Sequence, residues 1–206
     1  LDIYSSCMTV SEYLRLGRWR QWLYRLSRNP ILSHLILPPA VFLLLYRIPF
    51  DAAKGWRHER RAIHLTNVAL VGLFGGLGLA IGFDRVAEVQ LPIMVLASII
   101  GVWLFSVQHQ FERTLWASDA NWSFTDAALL GSSYLRLPRI LQWFTGNIGF
   151  HHIHHLNPRI PNYRLEACHR IIGDLQSVPM LTLRTALVSP YYALWDECLG
   201  RMVKFP

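Results

Sequence analysis

The sequence predicts an all-α membrane protein: a transmembrane helical hairpin, interfacial helices beside it, and a helical, histidine-rich region on the cytoplasmic side. Three observations carry this. The composition is 52% hydrophobic and only 16% charged, whereas soluble domains average about 25% charged. Two uncharged runs, each the length of a bilayer span, lie close together in the middle of the chain. Finally, His151-His152-Ile153-His154-His155 places four histidines in five positions of a chain that has nine.

The elements follow in chain order. Leu1-Asp2-Ile3-Tyr4 carries neither an initiating methionine nor a signal-peptide pattern and reads as the interior of a longer protein. Residues 12–28 mix Trp19 and Trp22 with Arg18 and Arg25, the make-up of an interfacial amphipathic helix. The apolar run 31–50 has basic flanks on both sides, and Pro38-Pro39 breaks its helical pattern. It reads as two short helical pieces that enter and leave one face of the membrane or lie in its interface, with a plain third span as the alternative. Residues 64–83 and 91–108 are the two uncharged runs, and each can cross a hydrocarbon core of roughly 30 Å. Their glycines suit close helix packing in a membrane. The connection 84–90 reads as a short outer loop. Lys54, Arg57, Arg60 and Arg61 ahead of the hairpin put its other end, and so His109 and everything after it, in the cytoplasm. The region 109–206 holds a fold-back segment, 113–145, and the histidine cluster. Its tail, 164–204, reads as soluble helices interrupted at Pro179 and Pro190.

The charge balance, twenty Lys and Arg against thirteen Asp and Glu, suits nucleic acid or an anionic membrane surface. The apolar runs decide for the membrane, and no nucleic-acid-binding pattern accompanies the arginines. Cys7, Cys168 and Cys198 are widely spaced and odd in number, which predicts reduced thiols rather than a disulfide framework.

Neutral imidazole offers a nitrogen lone pair near pH 7, which makes histidine the commonest metal ligand among side chains. On a helix, His151, His154 and His155 share one face and His152 points elsewhere. The pattern is H-x-x-H-H, flanked by aromatics, glycines and two prolines, as a shaped structure would be and a loose tract would not. A non-catalytic metal-binding cluster is the bland alternative.

The stretch Gly146-Asn147-Ile148-Gly149-Phe150-His151-His152-Ile153-His154-His155-Leu156-Asn157-Pro158-Arg159-Ile160-Pro161-Asn162-Tyr163 resembles the third histidine box of the membrane-bound fatty acid desaturases, in particular bacterial acyl-lipid enzymes of the Δ12 (omega-6) type. Val102-Trp103-Leu104-Phe105-Ser106-Val107-Gln108-His109-Gln110-Phe111-Glu112 is similar to the end of that family's last membrane helix, where a histidine supplies one further metal ligand. The resemblance implies that residues 1–206 are the C-terminal part of a desaturase domain. It also implies two iron ions, O₂ as co-substrate, and His109, His151, His154 and His155 as ligands. The reaction it implies is oxygen-dependent desaturation of the acyl chains of membrane lipids by an oxidoreductase. An electron donor such as ferredoxin or cytochrome b5 would serve it, and nucleic acid would have no part.

The family's two upstream histidine boxes have no counterpart here, so this stretch alone should not assemble a whole diiron site. His34, His58, His64 and His169 are isolated and are expected not to touch the metal. The acyl-CoA branch places an asparagine where Phe105 stands, which favours the acyl-lipid branch. His152 is expected to be structural, and Asn147 and Glu112 are candidates for orienting ligands. The alternatives are hydroxylation of an acyl chain or hydroxylation or ketolation of a carotenoid on the same scaffold, and an inactive, truncated metal-binding remnant.

Overall fold

The two uncharged runs fold as the longest helices of the chain, α4 (Arg57–Ile81) and α5 (Phe83–His109). At about 1.5 Å per residue each exceeds the thickness of a bilayer core. Both are long and apolar enough to cross a membrane. The computed structural model describes residues 7–50, 53, 55–116 and 122–206. Leu1–Tyr4, Asp51, Lys54 and residues 117–121 of the fold-back segment lie outside the described residues. The chain forms two units, Pro30–Trp103 and a second that joins Asp2–Asn29 to Leu104–Pro206.

In the first unit the side chains of α4 point outward with almost no protein cover: Val71 is 74% and Leu79 83% exposed. A run of uncovered aliphatic side chains is unsuited to water and suited to lipid. The hairpin turn is tighter than the sequence reading expects. Residues 84–90 are not a loop but the first turns of α5, and Gly82 alone separates the two helices. Asp84, Arg85 and Glu88 make the segment polar, but nothing in it breaks a helix, so polarity there marks depth and not loop structure. Gly82 has φ +101°, where a side chain would be strained and a Cβ would crowd the Asp84 carboxylate. Four residues earlier, the Phe83 ring occupies the space a Cβ on Gly78 would need.

The run 31–50 forms a π-helical turn (Leu32–Ile36), α3 (Leu37–Leu43) and a 3₁₀ turn (Leu45–Arg47). The expected break at Pro38-Pro39 does not occur. Both prolines sit in the first turn of α3, where a missing N–H costs little, and the π turn ahead absorbs the mismatch. By length and composition, the run together with Arg18–Ser27 could supply a third crossing. Asn67 Nδ2 donates to the Arg47 carbonyl at 2.7 Å and ties the run to α4.

The second unit begins with β1 (Met8–Thr9), α1 (Val10–Arg15) and α2 (Arg18–Ser27). Thr9 and Glu12 form a reciprocal capping box at the start of α1. The stretch 12–28 is therefore two helices, split at Leu16-Gly17. On α2, Trp19 and Trp22 stack with ring centroids 4.9 Å apart and stay exposed. Tyr24 anchors the same helix by donating to the Ala193 carbonyl at 3.1 Å.

After α5 come α6 (Phe124–Leu129), β2 (Tyr134–Arg136), α7 (Arg139–Phe144), α8 (His151–Leu156), α9 (Asn162–Ile171), β3 (Met180–Thr182), α10 (Leu183–Val188), β4 (Leu194–Asp196) and β5 (Arg201–Val203). The fold is mostly helical, as expected, but two small sheets join distant parts of the chain. One has the order β1-β4-β5, with β1 parallel and β5 antiparallel to β4; the other pairs β2 with β3 in parallel. The tail is thus not helical throughout. Strands of two or three residues are too short to show an alternating pattern in sequence.

Candidate metal centre

Helix α8 has six residues, too few to be stable alone. Packing holds it. Phe150, Ile153, Leu165 and Leu175 form a buried apolar cluster beneath it, with Tyr134, Leu156 and Cys168 at the edge. The chain enters α8 through a tight turn in which Gly146 and Asn147 both have φ +61°. Asn147 Nδ2 donates to the Asn162 carbonyl at 3.0 Å and joins this turn to the start of α9. At Gly149 a Cβ would collide with the Leu135 carbonyl and the Gln142 amide, so the approach to the box requires glycine there.

Three imidazoles converge on the upper face of α8. His109, from the last turn of α5, has its Nε2 2.9 Å from His151 Nε2 and 3.3 Å from His155 Nε2, and the latter two are 3.0 Å apart. His109 thus lies beside the box across a separation of 42 residues. Three nitrogens in mutual contact cannot satisfy one another: one proton serves one pair, and the remaining contacts set lone pair against lone pair. A cation resolves this. Two ligands at right angles, each about 2.1 Å from one ion, would lie about 3.0 Å apart, which is the spacing seen.

The electrostatics agree. Burial first, then the neighbouring His109, His155, His154 and His152, pushes the His151 pKa down to about 2. Burial and then His154 also lower that of His155. Both rings are therefore held neutral, the form that donates a lone pair to a metal. The site's residues fit a metal ion.

His154 stands slightly apart. Its exposed ring stacks on that of His151 at 5.7 Å but is not one of the three that converge. His152 points the other way, is 0% exposed, and meets His169 at 5.4 Å and Tyr134 at 6.2 Å between ring centroids. Burial, then His169, lowers its pKa to about 4. The Leu175 carbonyl is near enough to oppose this, but neither ring nitrogen has a well-formed hydrogen bond. His169, on α9, lies under the box, with its ring 4.7 Å from Tyr134.

Of the other residues singled out, His34 is buried beside Ser33, its Nδ1 2.8 Å from Ser33 Oγ, and His58 and His64 are exposed on α4. Asn147 is engaged with Asn162, and Glu112 with other partners. Glu112 accepts from Tyr192 at 3.1 Å and pairs with Arg201 at 2.8 Å, a surface arrangement. Phe105 covers His109, with ring centroids 4.8 Å apart. Sequence reasoning missed Gln108 and Gly149. The signal for Gln108 was present: it is an amide at the end of an uncharged run.

The family model for fatty acid desaturases matches residues 8–180. The chain belongs to the fatty acid desaturase family. It is 44% identical to a protein from Bacillus subtilis (strain 168) named "Fatty acid desaturase", over 198 residues that make up 96% of this chain and 56% of that relative. This desaturase chain therefore spans a little over half the length of the curated relative it matches. With its two long apolar helices, it is a membrane protein.

Proposed function

We propose that the chain contributes the last histidine box and His109 to an enzyme that desaturates the acyl chains of membrane lipids with O₂. The observation that supports this most is the contact of His109, His151 and His155 through three Nε2 atoms, in a chain of this family. These three would hold iron, and His154 completes the ligand set. The full enzyme carries two irons, the remaining ligands coming from histidine boxes outside this stretch. When bound, iron supplies the oxidising power, through O₂, that no side chain has for removing hydrogen from an unactivated methylene.

The chain's own residues do the rest. α8 and the end of α5 present neutral imidazoles already converged, so little reorganisation is needed on metal binding. Phe105 shields one side of His109 from water. A cavity of about 250 Å³ lined by His109, Thr114, Leu115 and Trp122 opens beside the ligand, and offers an apolar wall to a chain near the site. The enzyme spans the membrane more than once. The basic residues Arg57, Arg60 and Arg61 support a cytoplasmic histidine side, where a ferredoxin- or cytochrome b5-like donor would reach it.

Expression of the full-length protein in a host lacking such an enzyme, with gas chromatography of the fatty acid methyl esters, tests this. New unsaturated acyl chains are expected, dependent on His151. Hydroxylated chains or modified carotenoids would move the protein to another reaction on the same scaffold, and no product despite bound iron would overturn the reading.

A further inference from the structure

Gln108 stands next to His109 and is 0% exposed. Its Nε2 donates to the Ile148 carbonyl at 2.9 Å. Its own main-chain carbonyl accepts from the Ser133 N–H at 3.0 Å. One residue thus binds both segments that meet the end of α5: the 3₁₀ turn three residues ahead of His151, and the residue before β2. Consecutive helical residues point about 100° apart, so fixing Gln108 fixes the rotation of the last turn and with it the direction of His109. Thr114 Oγ1 donates to the His109 carbonyl at 3.1 Å and steadies the same turn from beyond its end.

We propose that Gln108 is the positioning residue that holds His109 against His151 and His155, so that the three-imidazole pocket is formed before metal arrives. The inference rests on the metal-binding reading of the site. Two physical points support it. The Ile148 carbonyl would lose a buried donor if Gln108 gave up its amide, a costly loss away from water. And groups that orient a ligand histidine without touching the metal typically change metal affinity 10–100-fold.

Titration of the full-length apoprotein in detergent with Co²⁺, followed through its visible absorption, is the test. Gln108→Leu, close in volume but without a donor, is expected to weaken Co²⁺ binding by about 10–100-fold. The same substitution in a His109→Ala background is expected to change affinity less than about threefold, because no ligand is left to position. Gln108→Met, unbranched and of similar length, replaces the leucine variant if that fails to fold, and carries the same expectation. A purely structural glutamine would instead lower the thermal midpoint and leave the affinity of the folded protein unchanged at low temperature; that result overturns the proposal. An equal loss in the His109→Ala background overturns it as well, since the effect would then not run through His109. Failure of the unsubstituted protein to bind Co²⁺ would sink the metal reading itself, and this inference with it.

Discussion

The two faces of α8 carry the same residue type and do opposite things. On one face His151 and His155 meet His109 nitrogen to nitrogen, at 2.9–3.3 Å. On the other His152 is sealed against Tyr134 and His169, ring against ring, and its nitrogens meet no partner of good geometry. The first face has the nitrogen geometry that could hold a cation. The second is built from packing, and its imidazole acts mainly as a flat, half-apolar filler of the core. A histidine count therefore says little about metal chemistry; what matters is which nitrogens converge, and the helical phase of five residues decides that.

The largest effect should come from breaking the convergent face. His109→Ala, His151→Ala or His155→Ala in the full-length protein is expected to abolish product formation and to lower bound iron at matched expression, measured by gas chromatography and elemental analysis. His152→Ala is expected to keep most of the iron and activity at low temperature. Because His152 is fully buried, it should still destabilise by about 1–3 kcal/mol through the cavity it leaves, seen as a lower unfolding midpoint. If His152→Ala strips iron as the other three do, the contrast between the faces is lost.

Gly149→Ala should disturb both faces together. The added methyl must push aside the Leu135 carbonyl or the Gln142 amide, at a cost of about 1–3 kcal/mol, read as parallel losses of stability and iron affinity. A smaller effect concerns pH. Burial first, and mutual proximity, hold His152 at about 4, and burial lowers His169, from 6.5. The unfolded chain takes up these protons below about pH 6.5, whereas the folded chain resists both, His152 until about 4. Apoprotein stability should therefore be full above about 6.5 and fall as pH drops toward 4. In His152→Phe the fall should be shallower in chemical denaturation at each pH; an unchanged slope would remove His152 from the account. The smallest effect belongs to Arg201→Gln. It breaks an ion pair with Glu112 whose partners are 48% and 42% exposed, is worth about 0–1 kcal/mol, and should leave iron content unchanged.

The parts legible in the sequence were those with a strong period or a long run. The hairpin showed in its uncharged stretches, and the shared face of His151 and His155 on α8 followed from helical spacing. His109 was reached only through the resemblance to the desaturases, because no local pattern links residue 109 to 151. The turn at Gly82 was hidden because charged residues 84–90 look like a loop but form helix. Pro38 and Pro39 were read as a break because their place in the first turn of α3 depends on the π turn before them. The sheets were hidden because Met8 pairs with Leu194, too far along the chain and too briefly to leave a pattern. His154 shares the ligand face on spacing alone, yet its ring stacks beside the cluster instead of joining it.

The central claim is that one ion sits among His109, His151 and His155. Anomalous diffraction at the iron edge from crystals of the iron-loaded full-length protein tests it most directly. The account predicts a peak about 2.1 Å from all three Nε2 atoms and none between His152 and His169. Iron bound at the second pair, or bound with His109 outside ligand distance, would contradict it.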